Sequence, residues 1–303
     1  MHARWYGRDT GLAIRMFIVM SLLAALYLGF LAALWAAGVD FVAMAAIAAG
    51  MLLAQYYFSD QMVLWSMGPR VVSPQEAPEL HAAVDRLAAL ADLPKPKVAV
   101  VNTNMPNAFA TGRNPQNSVI AVTTGLMARL EQPELEAVLA HELTHVKNRD
   151  ATVITIASFL STVAFFIMRS FMWGGLGGYG GLGRGRGRNG AGSVLLAYLA
   201  ALLVWVISFF LIRALSRSRE YAADRGSAII TGAPSQLSSA LLKISGTMQR
   251  IPSRDLREVE GMNAFFTVPA LGGSSLMELL STHPSVEHRI ERLARMQQEM
   301  EQT

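Results

Sequence analysis

The sequence predicts a mostly α protein in which a small α+β domain, holding a compact antiparallel sheet, is built onto transmembrane helices. Three observations carry that expectation. The 303 residues are 52% hydrophobic but only 16% charged, where ordinary soluble domains are about 25% charged. The apolar residues gather into four long runs. Between the second and third runs, short extended segments separated by turn residues give way to a helical pattern.

The apolar runs are Met16–Ala37, Phe41–Phe58, Ala151–Trp173 and Val194–Leu215, each near the roughly 20 residues that a bilayer crossing needs. The first two are joined only by Gly38-Val39-Asp40, which reads as a tight transmembrane hairpin. A signal peptide is the alternative for the first run, but its apolar stretch exceeds the usual length of about 7–15 residues. Ala151–Trp173 carries Thr152, Thr155, Ser158, Ser161, Thr162 and, near its end, Arg169. Hydroxyls bond back to their own helix and a terminal arginine snorkels; on length alone, two further crossings are favoured over buried helices or a re-entrant hairpin. Arg4, Arg8 and Arg15 precede the first run and place the N-terminal tail on the cytoplasmic side.

Four parts follow: an N-terminal tail and hairpin (1–58), a cytoplasmic segment (59–150), two more apolar helices (151–215) and a helical C-terminal segment (216–303). The net charge of +4 and pI near 9.6 come from arginines flanking the apolar runs, with mean hydropathy +0.33. This favours a lipid bilayer as partner and speaks against nucleic acid, because the one basic tract, Gly183-Arg184-Gly185-Arg186-Gly187-Arg188, has no interleaved aromatics. Cysteine is absent, so any metal must be held by nitrogen and oxygen.

In the cytoplasmic segment Pro69, Pro74 and Pro78 mark an irregular entry. Leu80, Val84, Leu87 and Ala91 then share one helix face, which Pro94 and Pro96 end. Lys97–Asn102, Asn107–Thr111 and Ser118–Thr123 read as strands, the last two parted by a turn at Gly112, Asn114 and Pro115. After Pro133 the spacing of Leu135, Val138, Leu139 and Val146 predicts an amphipathic helix beside that sheet. Residues 174–192 are nearly all Gly and Arg, a linker, and 216–303 is helical with breaks at Gly232–Pro234 and Gly272-Gly273.

The chemistry centres on His141-Glu142-Leu143-Thr144-His145. Two histidines four apart project from one helix face, so two ring nitrogens can meet one ion at about 2.0–2.1 Å. Glu142 sits one step round, placed to take a proton from water activated by that ion. Two surface histidines are the plain alternative, which the apolar flanks disfavour. A catalytic ion needs a third protein ligand. His2, His81, His283, His288 and the carboxylates are candidates, among them Glu220-Tyr221-Ala222-Ala223-Asp224, with two carboxylates on one helix face. There Glu220 would bind the ion and Asp224 would accept from the outer nitrogen of a ligating histidine. The alternative is an ordinary helix surface, with Arg219 and Arg225 as pairing partners.

The stretch Glu134 to His145 with Asn148-Arg149-Asp150 resembles the M48 family of gluzincin metallopeptidases. The order of parts is similar to its HtpX branch: hairpin, Asn107-Ala108-Phe109-Ala110-Thr111-Gly112, metal helix, two apolar runs, Glu220 to Asp224, and Ser281-Thr282-His283-Pro284. The resemblance implies a zincin-like catalytic domain holding one Zn2+ on His141, His145 and Glu220, with Glu142 as general base. It further implies an endopeptidase of the bacterial cytoplasmic membrane, its site facing the cytoplasm and its substrates misfolded membrane proteins. His283 would donate to the oxyanion or cap the zinc at rest, or else simply enter a helix before Pro284. The Asn107–Gly112 strand would pair with an extended substrate, or serve the sheet alone. A transporter is disfavoured because the apolar runs lack ionisable residues away from their ends. A metal-binding scaffold without catalysis would not need Glu142.

Overall fold

The computed structural model describes residues 10–36, 42, 46, 49–57, 65, 67–174, 190–248 and 282–302. In chain order the main elements are α1 (Thr10–Ala36), β1 (Arg70–Val71), α2 (Pro78–Leu90), β2 (Lys97–Val101), β3 (Ala108–Thr111), β4 (Val119–Thr123), α3 (Gln132–Asn148), α4 (Asp150–Gly174), α5 (Gly190–Thr231), α6 (Pro234–Met248) and α7 (Val286–Glu301). They divide into two compact units, one of Ile14–Tyr57 with Val153–Leu215, the other of Met1–Ala13, Phe58–Thr152 and Ser216–Thr303.

The first unit is apolar and helical. Among the described residues three stretches are long and apolar enough to cross a membrane, Thr10–Ala36, Asp150–Arg169 and Leu195–Thr231, and each runs at one end into residues of the second unit. Of the expected run Phe41–Phe58, residues 49–57 are helical and most of the rest lies outside the described residues. Beyond Arg15, helix α1 is apolar on nearly every side, with Phe17, Leu28 and Trp35 exposed, as for a helix that faces lipid. Its other side buries Leu23, Phe30 and Leu34 with Ala157, Ala164, Ala197 and Ala201. Small side chains there let helix backbones approach closely. The hydroxyl of Tyr27 donates to the Ala157 carbonyl, and Ser208 Oγ donates to Ser161 Oγ at 2.7 Å. In hydrocarbon such groups have no water to bond.

The second unit holds a four-stranded sheet in the order β1-β2-β4-β3. The expected sheet was antiparallel; the observed one is mixed. β3 is antiparallel to β4 and β1 to β2, but β4 runs parallel to β2, with Val98 opposite Ile120 and Val100 opposite Val122. The physical reason lies in β4. All five of its residues, Val119 to Thr123, are buried, and a strand covered on both faces belongs in the centre. The β3–β4 hairpin therefore folds β4 back against β2 and leaves β3 at the edge. Gly112 makes that hairpin possible: its φ is 137°, and a Cβ there would stand 2.4 Å from the Asn117 carbonyl oxygen.

One sheet face, with Val98, Ile120 and Val122, packs with Val84 and Leu87 of α2 and Val138 and Leu139 of α3. The other carries Ala99, Phe109 and Ala121. Helix α3 is buried on nearly every side from Leu135 to Thr144, with Glu136 as the solvent-facing exception, so it is a core helix rather than the amphipathic one expected. It begins at Gln132, with Pro133 in its first turn and the Glu131 N–H donating to Glu134 at 2.8 Å. α6 follows the break at Gly232, and α7 packs Leu293 and Met296 into the same core. The Gly/Arg tract at 175–189 and the expected break at Gly272-Gly273 lie outside the described residues.

Candidate metal centre

Helix geometry places His141 and His145 one turn apart on α3, with their Nε2 atoms 3.1 Å from each other. Glu220 of α5 closes the group: its Oε2 is 3.5 Å from His141 Nε2 and its Oε1 is 3.5 Å from His145 Nε2. Atoms bound tetrahedrally at 2.0–2.1 Å stand about 3.3 Å apart, so the two ring nitrogens and the Glu220 carboxylate, a different oxygen of it nearest each histidine, stand close to the spacing that such an ion requires. Of the other third-ligand candidates, His81 bonds the Val72 carbonyl at 3.0 Å, His288 is exposed on α7, and His2 lies outside the described residues.

Both histidine rings are oriented from behind. His141 Nδ1 is 3.0 Å from Asp224 Oδ1, and His145 Nδ1 is 2.6 Å from Asp150 Oδ2. With each Nδ1–H given to a carboxylate, each Nε2 keeps its lone pair for a metal. Each aspartate is in turn clamped by a buried arginine. Arg289 of α7 meets Asp224 through Nε at 2.9 Å and Nη2 at 2.6 Å. Arg219 pairs with Asp150 and donates to the Asn148 carbonyl at 3.2 Å. Arg149 supports this through a left-handed turn (φ 54°) that ends α3 and starts α4 at Asp150, beside His145.

Glu142 lies off the ligand group. Its Oε2 accepts from the Ala110 N–H at 3.1 Å, on the outer side of edge strand β3. Asn107 leads into that strand, but its N–H and C=O both bond Thr123 at 2.9 Å, so the backbone group that meets the site belongs to Ala110. His283, just before α7, brings Nδ1 to 3.3 Å from Glu220 Oε2. A pocket beside His145 is bounded by Ala110 to Asn114 and by Val146, Arg149 and Asp150.

The electrostatics fit a divalent cation. Four buried carboxylates (Glu142, Glu220, Asp224, Asp150) face two buried guanidiniums (Arg219, Arg289), a formal surplus of two negative charges among these residues. Burial opposes protonation of His141, yet Asp224 and Glu220 outweigh it and raise its pKa to about 9. Burial holds His145 below its ordinary value, with the neighbouring His141 charge acting the same way. Burial pushes the Glu142 carboxyl upward. A buried carboxylate surplus around two convergent ring nitrogens is what bound metal neutralises.

The structure thus brings together His141, Glu142, His145, Glu220, Asp224 and His283. Sequence reasoning named Ala110 only within the Asn107–Gly112 strand, Asp150 only within the family motif and Arg219 only as a surface pairing partner, and it missed Arg289 altogether. Arg289 had a visible signal: it occupies a position of the stripe Val286, Leu293, Met296 that faces the core.

A histidine pair on a buried helix, completed by a carboxylate from a later one, defines the metal-dependent peptidase class, here on a chain with membrane-length helices. Residues 74–297 match peptidase family M48. A protease HtpX homolog of Moorella thermoacetica is 65% identical over 299 residues, covering 99% of both chains. Protease HtpX homolog 2 of Methanosarcina acetivorans is 57% identical over 300 residues, covering 99% of this chain and 100% of that one. The crystal structure of S. mikatae Ste24p aligns with a TM-score of 0.55 at 18% identity, covering 93% of this chain and 66% of that chain, a likeness of fold. The chain belongs to family M48, as an HtpX-type membrane metalloprotease.

Proposed function

We propose that this chain is a zinc-dependent endopeptidase of gluzincin fold, cutting misfolded membrane proteins at the bacterial cytoplasmic membrane with its site on the cytoplasmic side. The observation that carries the reading is the convergence of His141 Nε2, His145 Nε2 and Glu220 at 3.1–3.5 Å. A three-donor set of two nitrogens and one carboxylate, with a fourth position left over, is the ligation of a catalytic zinc. When bound, such an ion polarises a peptide carbonyl and lowers the pKa of water.

The chain's own groups supply the rest. Glu142, with its carboxyl pushed up by burial, accepts a proton from the attacking water and returns it to the leaving amine. The Ala110 N–H fixes the carboxylate that does so. The Asn107–Gly112 segment, with strand β3 at the sheet edge, pairs with an extended polypeptide, which favours unfolded substrates over folded ones. His283 donates to the developing oxyanion. Segments 59–150 and 216–303 form the catalytic part, and 1–58 and 151–215 hold it in the bilayer.

The test is metal content by mass spectrometry together with cleavage of an unfolded protein such as casein, on detergent-purified protein with and without chelator. One zinc per chain and chelator-sensitive cleavage are expected. Cleavage that persists after the metal is stripped would overturn the reading.

A further inference from the structure

Arg289 occupies a place where α7 should carry an apolar residue. It lies between Val286 and Leu293 on the face that packs into the core, and it is fully buried. A buried ion pair is a weak source of stability, because desolvation offsets the attraction. Its geometry gives it another use. Nε and Nη2 grip the two oxygens of Asp224 at 2.9 and 2.6 Å, a bidentate fork that fixes the plane of the carboxylate. The same Asp224 Oδ1 stands 3.0 Å from His141 Nδ1. Arg289 Nη1 also reaches to 3.5 Å from Glu220 Oε2, on the side of that carboxylate met by His283.

We propose that Arg289 is a positioning residue for the hydrolytic site: its guanidinium locks Asp224, and through Asp224 the His141 ring, so that Nε2 points at the ion. This inference rests on His141, His145 and Glu220 being the metal ligands. The role is distinct from charge. A cation beside the site repels a metal ion, so by Coulomb's law alone removing Arg289 should tighten metal binding. Loss of orientation should weaken it. A lysine keeps the charge and loses the fork.

The experiment is a chelator-competition measurement of zinc affinity on full-length protein in detergent, for wild type, Arg289→Met, Arg289→Lys, Asp224→Asn and the Arg289→Met/Asp224→Asn double variant. Arg289→Met is expected to weaken zinc affinity on the order of 10–100-fold, as for groups that orient metal-binding histidines. Arg289→Lys should fall between it and wild type. In the Asp224→Asn background, Arg289→Met should add less than about threefold, because the two residues act as one unit. Unchanged or tighter zinc binding in Arg289→Met, or full additivity with Asp224→Asn, overturns the proposal. If Arg289→Met fails to fold, Arg289→Lys decides: wild-type affinity there rejects the fork. Failure of wild type itself to bind zinc would instead reject the metal-site reading.

Discussion

Gly226 of α5 and Thr144 of α3 stand so close that a Cβ added to Gly226 would lie 2.3 Å from the Thr144 side chain. The contact sets the approach of the helix that carries Glu220 and Asp224 to the one that carries His141 and His145. Ser227 Oγ seals it with a 2.7 Å bond to the Ala137 carbonyl. Gly226→Ala should force the helices apart, with a stability loss of about 1–3 kcal/mol and lower zinc occupancy. Adding Thr144→Ala should restore part of both. Metal content and thermal unfolding in detergent check this, and unchanged zinc in Gly226→Ala would show that the close approach is dispensable.

Glu142→Gln should bind zinc as wild type does while losing turnover by about 10²–10⁴-fold, the usual contribution of a general base. Zinc content and cleavage rate, measured on the same preparation, separate this outcome from a damaged site.

The ligand and the groups behind the ligands should differ in severity. Glu220→Ala should abolish stoichiometric zinc, whereas Asp150→Asn, which alters the partner of His145 Nδ1, should weaken affinity on the order of 10–100-fold. Equal zinc in Glu220→Ala and wild type would remove Glu220 from the ligand set.

Stability should depend on pH through Glu134. Burial raises its pKa, but Lys243 at 2.7 Å, Ser239 at 2.6 Å and the Glu131 N–H bring it below 4.5 overall. A carboxyl depressed on folding stabilises the native state above its unfolded pKa and loses that contribution as pH falls through the folded one. Glu134→Gln should therefore destabilise by about 1 kcal/mol or more at neutral pH, and the gap should close in acid below pH 4.5. A gap that stays constant from pH 7 down to about pH 2, below the range of a depressed carboxyl, would assign the effect to packing.

Membrane topology follows from parity. Because Glu220 meets His141 and His145, Asp150 and Ser216 lie on one side of the bilayer, and the chain between them crosses twice or not at all. Two crossings would carry Arg184, Arg186 and Arg188 outward, against the positive-inside tendency. We expect two crossings, because the apolar stretches in Asp150–Arg169 and Leu195–Thr231 reach membrane length. With no native cysteine, Gly187→Cys offers a single thiol. Labelling by an impermeant reagent on intact cells supports two crossings, and labelling only after lysis supports an embedded hairpin.

That His141 and His145 share one helix face, and Glu220 and Asp224 another, was legible from helical periodicity; that Glu220 completes the group was left open by spacing and came from the family resemblance. Strands β2, β3 and β4 were legible too, within a residue of their ends, but β1, only two residues long, lies in a stretch that reads as an irregular entry. Sheet order was not, since Val119 to Thr123 would read alike at an edge or in the centre until burial on both faces is known. Arg219, Asp150 and Arg289 stayed hidden for a related reason: a charged residue on a helix reads as solvent-facing, and only tertiary packing shows which are buried in pairs.

The site assembles residues from position 110, 141–150, 219–224 and 283–289. A ribosome delivers the histidine pair early and Arg289 late, with both later apolar stretches in between. While the chain is being threaded into the bilayer, its cutting centre exists only as disconnected parts. The ligand set is thus complete only once Glu220 has joined both histidines, and the Arg289 fork that steadies it comes last, with α7.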